Sequence, residues 1–213
     1  MKNIILYGAP AAGKGTQCEL LVEKYGYKHI SMGQLFRDLD DSTEFNRKIH
    51  EDISKGILID DETTAKLLKN KLDELGNVPI VLDGFPRTLN QAHVLDEFFT
   101  NYIVINIEVE EQVALERTLG RVTCSKCGKI YNLYSEEMKP KNGRLCDICN
   151  IELTGRTTDD NEESFKTRFN IYLSNVSGLL DYYREKNVLY IVKSHTLKED
   201  TFADVKAILE NQD

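Results

Sequence analysis

A three-layer α/β fold around a central parallel sheet is predicted by three observations in this 213-residue chain. Short apolar runs recur at residues 4–7, 79–82, 102–107 and 188–192, each the length of a buried strand. Amphipathic stretches lie between them, at 17–24, 61–75, 91–99 and 111–119. A glycine-containing loop, Gly8-Ala9-Pro10-Ala11-Ala12-Gly13-Lys14-Gly15-Thr16, sits directly between the first strand and its helix. Strands alternating with helices at this spacing imply right-handed crossovers and a parallel sheet covered on both faces.

Taken in order, the first strand stops at Gly8 and the loop opens a helix over 17–24, on which Cys18 reads as a small buried hydrophobe. A helical stretch over 31–55 replaces a simple crossover. The strand at 79–82 and the helices at 91–99 and 111–119 continue the pattern. Residues 122–158 break it: they are poor in apolar periodicity, rich in turn residues, and hold four of the five cysteines, as if inserted between two helices. Asp159-Asp160-Asn161-Glu162-Glu163 then marks an acidic helix start, and Phe165, Phe169, Tyr172, Val176, Leu179 and Tyr183 form the buried stripe of a long helix. A helix at about 201–209 closes the chain.

Composition narrows the function. Lys plus Arg number 27 against 35 Asp plus Glu, a net charge of -8, which argues against a non-specific nucleic-acid or anionic-membrane binder. No run approaches the roughly 20 apolar residues of a membrane span, and the apolar start of the chain is too short for a signal peptide. The expectation is a soluble, cytoplasmic protein that contacts neither membrane nor nucleic acid.

The loop fits the spacing G-x-x-x-x-G-K of a phosphate-binding P-loop, with Thr16 displaced one place by Gly15. Its backbone N–H groups, the positive end of the following helix and the Lys14 charge all favour a polyphosphate. Asp83-Gly84-Phe85-Pro86-Arg87, followed by Gln91, comes at the carboxyl end of another strand, where open α/β sheets hold ligands. There Asp83 can hold Mg²⁺ through water and Arg87 can grip a phosphate. Arg37, Arg87, Arg117, Arg121, Arg156 and Arg168 recur near predicted element ends and suggest a cationic cluster around polyphosphate. A phosphate nucleophile is already ionised, so transfer to it rests on positioning and charge stabilisation, with no general base required.

Cys124-x₂-Cys127 and Cys146-x₂-Cys149, eighteen residues apart, have the spacing of a structural zinc site. Four thiolates fill a tetrahedron and leave no place for a reacting water. Such a ribbon also occurs in nucleic-acid modules, but residues 122–159 hold six Lys or Arg against five Asp or Glu, without the excess a phosphate-backbone binder needs. A kinase for another monophosphate and a P-loop hydrolase are the remaining alternatives.

Together the phosphate loop, Ile30-Ser31-Met32-Gly33 with Arg37, Asp83-Gly84-Phe85-Pro86-Arg87 with Gln91, Arg117, Gly120-Arg121, Arg156, Asp159-Asp160 and Arg168 resemble the adenylate kinase family of nucleoside monophosphate kinases, in its form with a zinc-binding lid. The resemblance implies a core at 1–30, 60–121 and 160–213, a helical monophosphate-binding arm at 31–59, and a lid at 122–159. It implies Mg²⁺-dependent transfer from ATP to AMP giving two ADP, by a monomer. By that likeness Lys14, Arg121, Arg156 and Arg168 stabilise the transferring phosphoryl group, Arg87, also counted as catalytic, holds the AMP phosphate with Arg37, and Arg117 stacks on the ATP adenine. ATP would meet Ala11, Ala12, Gly13, Lys14, Gly15, Thr16, Arg117, Arg121, Ile130 and Tyr131. AMP would meet Met32, Arg37, Ile57, Leu58, Ile59, Gly84, Phe85, Pro86, Arg87, Gln91, Arg156 and Arg168, with Gln91 reading the adenine. The chain departs from the family pattern at Ala11, where glycine is usual, at Met32 for threonine, at Gln34 for aspartate, and in the extra residue between Arg156 and the acidic pair. Residues 193–200 align poorly, so no adenine contact is assigned to them.

Overall fold

Each of the four apolar runs forms a strand in the computed structural model, which describes residues 1–155 and 160–211. Along the chain, β1 (Asn3–Gly8) leads through the loop to α1 (Lys14–Tyr25), β2 (Lys28–Ser31), α2 (Met32–Arg37), α3 (Glu44–Ser54), α4 (Asp61–Leu75), β3 (Ile80–Asp83), α5 (Leu89–Asp96), β4 (Tyr102–Glu108) and α6 (Glu111–Leu119). Three short strands, β5 (Arg121–Thr123), β6 (Ile130–Asn132) and β7 (Thr154–Gly155), precede α7 (Glu162–Glu185), β8 (Leu189–Lys193) and α8 (Lys198–Glu210).

The main sheet is parallel throughout, in the order β2-β3-β1-β4-β8. Both faces are covered, which is why its strands read as continuous apolar runs. Ile4, Leu6, Ile103, Ile105 and Ile107 pack one face with Leu21, Phe202 and Val205 of α1 and α8. Ile5, Leu82 and Val104 pack the other with Leu68, Leu95, Leu179 and Tyr183 from α4, α5 and α7. Each such side chain, removed from water, contributes about 1.5–3 kcal/mol. The strand order reverses at β1, so the loops after β1 and β3 flank the crevice where ligands of such sheets bind.

Three local expectations change. Lys28–Ser31 is an edge strand paired with β3, although its sequence carries no apolar run; an edge strand with exposed Lys28 and His29 buries only Ile30. The stretch 31–55 is two helices, because Thr43 takes an extended backbone and its hydroxyl accepts the Asn46 amide at 3.0 Å, starting α3 anew. The helix expected at 91–99 instead runs Leu89–Asp96, opened by Thr88, whose hydroxyl accepts the Gln91 amide. The long helix has its stripe as expected, with Phe165, Phe169, Leu179 and Tyr183 buried, and it is capped by Asn161.

A knot of polar contacts joins α5, β4 and the end of α7. Tyr102, Tyr182 and Lys186 all donate to the Asp96 carboxylate. Burial alone would raise this carboxyl, but those hydrogen bonds outweigh it and hold Asp96 below the ordinary range.

The insertion forms its own antiparallel sheet in the order β6-β5-β7. Its apolar centre is five buried residues, Val122, Cys124, Tyr131, Cys146 and Leu153, two of them cysteines. It also reaches the main body: the Lys198 amide at the start of α8 donates to Glu137 at 3.1 Å. No helix among the described residues is long and apolar enough to cross a membrane.

Candidate functional site

The loop after β1 is shaped by close approach. A side chain at Gly8 would place its Cβ 2.4 Å from the Ile107 carbonyl of β4, so only glycine lets the chain turn there. Gly13, with φ 98°, starts α1. Ala11 has φ 58°, a left-handed conformation that glycine adopts freely and alanine does at a cost. Lys14 folds back over the loop, its Nζ donating to the Gly8 and Ala9 carbonyls at 3.0 and 2.8 Å. Burial pulls its ammonium below the ordinary value while Asp83 opposes that pull. An incoming phosphate would supply the missing counter-charge.

Two cavities meet at this loop. The first is lined by Lys14, Arg37, Arg87, Arg121 and Arg168, with Asp83 opposite. Arg87 is pinned by its Nε donating to the Gly84 carbonyl at 2.9 Å, and burial lowers its guanidinium despite Asp83. Arg121 binds Asp160 with two hydrogen bonds, and Arg168 lies 3.9 Å from the same carboxylate. Arg37 donates to Gln34 at 3.4 Å, and the Gln34 amide donates on to Asp38 at 2.6 Å. Gln34, which also lines the larger cavity, thus links Arg37 to Asp38. Arg156, Thr157, Thr158 and Asp159 lie outside the described residues.

The acceptor set divides. Arg37, Ile57, Leu58, Gly84, Pro86, Arg87 and Arg168 line the first cavity, whereas Met32, Ile59, Phe85 and Gln91 are buried and do not reach the lining of either cavity. Met32, Ile59 and Phe85 belong to the apolar core beneath it. The carbonyl of Gln91 accepts the Arg87 amide at 2.8 Å, so in this arrangement it holds the Arg87 loop in place.

The second, larger cavity is lined by Ala11, Ala12, Gly13, Lys14, Gly15, Thr16, Arg117, Arg121, Ile130 and Tyr131, the whole set expected for the donor. It shares Lys14, Arg121, Arg37 and Asp83 with the first cavity, so ligands in the two would meet at those side chains. Arg117 donates to Ser194 Oγ at 2.6 Å and to the His195 carbonyl at 2.9 Å. That clamp brings Ser194, His195 and Thr196 into the wall, a contribution that alignment of 193–200 had not suggested. The hint available in sequence was Arg117 itself, since a cation at a helix end needs carbonyl or hydroxyl partners.

Cys124, Cys127, Cys146 and Cys149 bring their four sulfurs within 4.8 Å of one another. The Cys149 amide donates to Cys146 Sγ at 3.4 Å, and Tyr131 Oη lies 3.5 Å from the same sulfur. Burial would raise the Cys146 thiol, but hydrogen bonds from Tyr131 and the Cys149 and Ile148 amides outweigh it and hold it down at about 6. Four convergent sulfurs fit a tetrahedral metal ion. Tyr131 belongs both to this cluster and to the wall of the larger cavity.

A family model described as adenylate kinase matches residues 6–188. An adenylate kinase of Bacillus subtilis is 41% identical over 217 residues, covering 97% of each chain. One from Lactobacillus delbrueckii subsp. bulgaricus is 40% identical over 217 residues, covering 98% of this chain and 99% of that protein. One from Archaeoglobus fulgidus is 39% identical over 215 residues, covering 98% of each.

Proposed function

The chain belongs to the adenylate kinase family, and from that premise we propose a role for each part of its site. The reaction is reversible phosphoryl transfer from ATP to AMP, giving two ADP, with Mg²⁺ accompanying ATP. The larger cavity receives ATP and the arginine-lined one receives AMP. The observation that carries this assignment is the shared wall: Lys14, Arg121, Arg37 and Asp83 face both cavities, so phosphates entering from either side converge on the same charges.

In this reading the chain divides into a core (1–30, 60–121 and 160–213), a monophosphate-binding arm (31–59) and a lid (122–159). Arg37 and Arg87 hold the AMP phosphate, whose oxygen is the nucleophile. Lys14, Arg121 and Arg168, with Arg156, offset the charge on the transferring group, and their fixed positions supply most of the catalysis. Asp160 accepts from Arg121 and lies 3.9 Å from Arg168, so one carboxylate gathers both guanidinium groups. Asp83 would hold Mg²⁺ through water, and the ion would offset negative charge on the ATP phosphates. Zinc fills the four-cysteine cluster, where the sulfurs present match a closed tetrahedral site and tie Tyr131 into the donor wall. The enzyme acts as a cytoplasmic monomer.

A panel of AMP, CMP, UMP and GMP, each with ATP and Mg²⁺ and read as diphosphate formed, tests the acceptor. AMP should exceed the others in kcat/KM by at least about tenfold, because a mismatched base leaves buried polar groups unpaired. A higher kcat/KM with UMP or CMP would overturn the assignment of the arginine-lined cavity to AMP.

A further inference from the structure

Behind the phosphate loop lies a second group of metal-ligating side chains. Cys18 Sγ, a ring nitrogen of His29 and a carboxylate oxygen of Asp83 all lie within 4.8 Å of one another. They come from α1, β2 and β3, adjacent in the sheet and the layer above it. Cys18 is fully buried, while His29 and Asp83 face the larger cavity. Cys18 lies behind the cavity wall, with its sulfur within 4.8 Å of the His29 and Asp83 ligand atoms that line it.

We propose that Cys18, His29 and Asp83 form a second binding site for a borderline transition cation of the Zn²⁺ class, distinct from the four-cysteine cluster, and that its occupancy blocks the donor cavity. The ligand set is one sulfur, one imidazole nitrogen and one carboxylate oxygen, a combination that selects zinc over magnesium. Zinc bond lengths place ligand atoms about 3.3–3.8 Å apart, so rotation of the His29 and Asp83 side chains closes the observed spacing. Three protein ligands leave a fourth position for water, which makes the site exchangeable, unlike a closed Cys₄ site. As the sulfur–metal bond forms, the thiol proton passes to solvent water. Without an ion, burial and the Asp83 charge keep that thiol well above its ordinary value.

Occupancy would take Asp83 away from the waters of Mg²⁺ and set a divalent charge beside Lys14. The blocking effect rests on the reading of the larger cavity as the ATP site; the binding itself does not. Equilibrium dialysis against zinc chloride without nucleotide, on the unaltered protein, Cys18→Ala and His29→Gln, tests both. The unaltered protein should retain one more equivalent of zinc than either variant, whatever the four-cysteine cluster holds. Zinc should inhibit its diphosphate formation, reversibly on dialysis into zinc-free buffer, at a concentration at least about tenfold lower than for the variants. His29 is exposed, so its replacement tests the site even if Cys18→Ala disturbs packing. Equal zinc content in all three proteins overturns the site, and an extra equivalent without inhibition overturns the blocking role. Failure of protein that keeps its four-cysteine metal, assayed without added zinc, to convert ATP and AMP would overturn the functional reading alone, since the dialysis count is independent of it.

Discussion

The main sheet and the cysteine-bearing insertion reach order by different physics. The sheet buries continuous apolar strands on both faces, with Ile4, Ile5, Val81, Leu82, Val104 and Ile105 all without exposed surface. The insertion has a centre of five buried residues, and two of those are cysteines of the four-cysteine cluster. A region of that size cannot offset its chain entropy by apolar burial alone. The core therefore folds on its side chains, and the insertion, on the proposed reading, needs a metal at its cysteines together with contacts such as Glu137 with Lys198.

Metal removal should separate the two regions most sharply. Structural zinc in small sites supplies on the order of 10 kcal/mol of folding free energy, so chelation under reducing conditions should unfold the insertion. Amide hydrogen exchange should show residues 122–155 losing protection while β1, β3 and β4 keep theirs, and turnover should fall with the loss of the Tyr131 wall. Protein isolated under reducing conditions with less than about a tenth of an equivalent of metal would break the comparison.

Lys14→Ala probes the core's side of the contrast, where function rests on one charge rather than on folding. Turnover should drop at least about a hundredfold, because a charge aimed at the transferring group is lost. The far-UV spectrum and melting temperature should hold, since the lysine's contacts are two loop carbonyls. Arg87→Ala, by contrast, should act mainly on the KM for AMP, as its phosphate contact exists before transfer. Near-normal turnover in the Lys14 variant would remove it from the catalytic set.

The smallest effect is expected at Ala11. Its φ of 58° is left-handed, and glycine relieves about 1 kcal/mol of that strain, partly cancelled by the added freedom of the unfolded chain. Ala11→Gly should leave the melting temperature within a few degrees, rising if strain dominates, with the change confined to the core transition. A clear fall in stability would show that the alanine methyl packs in a way that outweighs its backbone cost.

The contrast also explains what was readable before any coordinates. Strands in the covered sheet show as apolar runs because both faces must be buried, and the phosphate loop shows because only glycine avoids the Ile107 carbonyl at Gly8. The cysteine spacing was legible for a similar reason: two short knuckles set ligand geometry locally. Edge strand β2 was not, because one buried residue leaves no pattern. The break between α2 and α3 hung on a single cap at Thr43, which competes with continued helix by a small margin.

From the residue order alone came the sheet, the phosphate loop, the arginines and the four sulfur ligands, because each depends on local chemistry or on a periodic burial pattern. Only the tertiary structure decided which residues face a ligand and which stand behind it. Gln91 turned inward to hold the Arg87 amide, Met32 sank into the core, and Arg117 drew Ser194 and His195 into the wall of the larger cavity across more than seventy residues of chain. Which way a side chain points is settled by partners distant in sequence, and such contacts leave no trace in the spacing of the residues themselves.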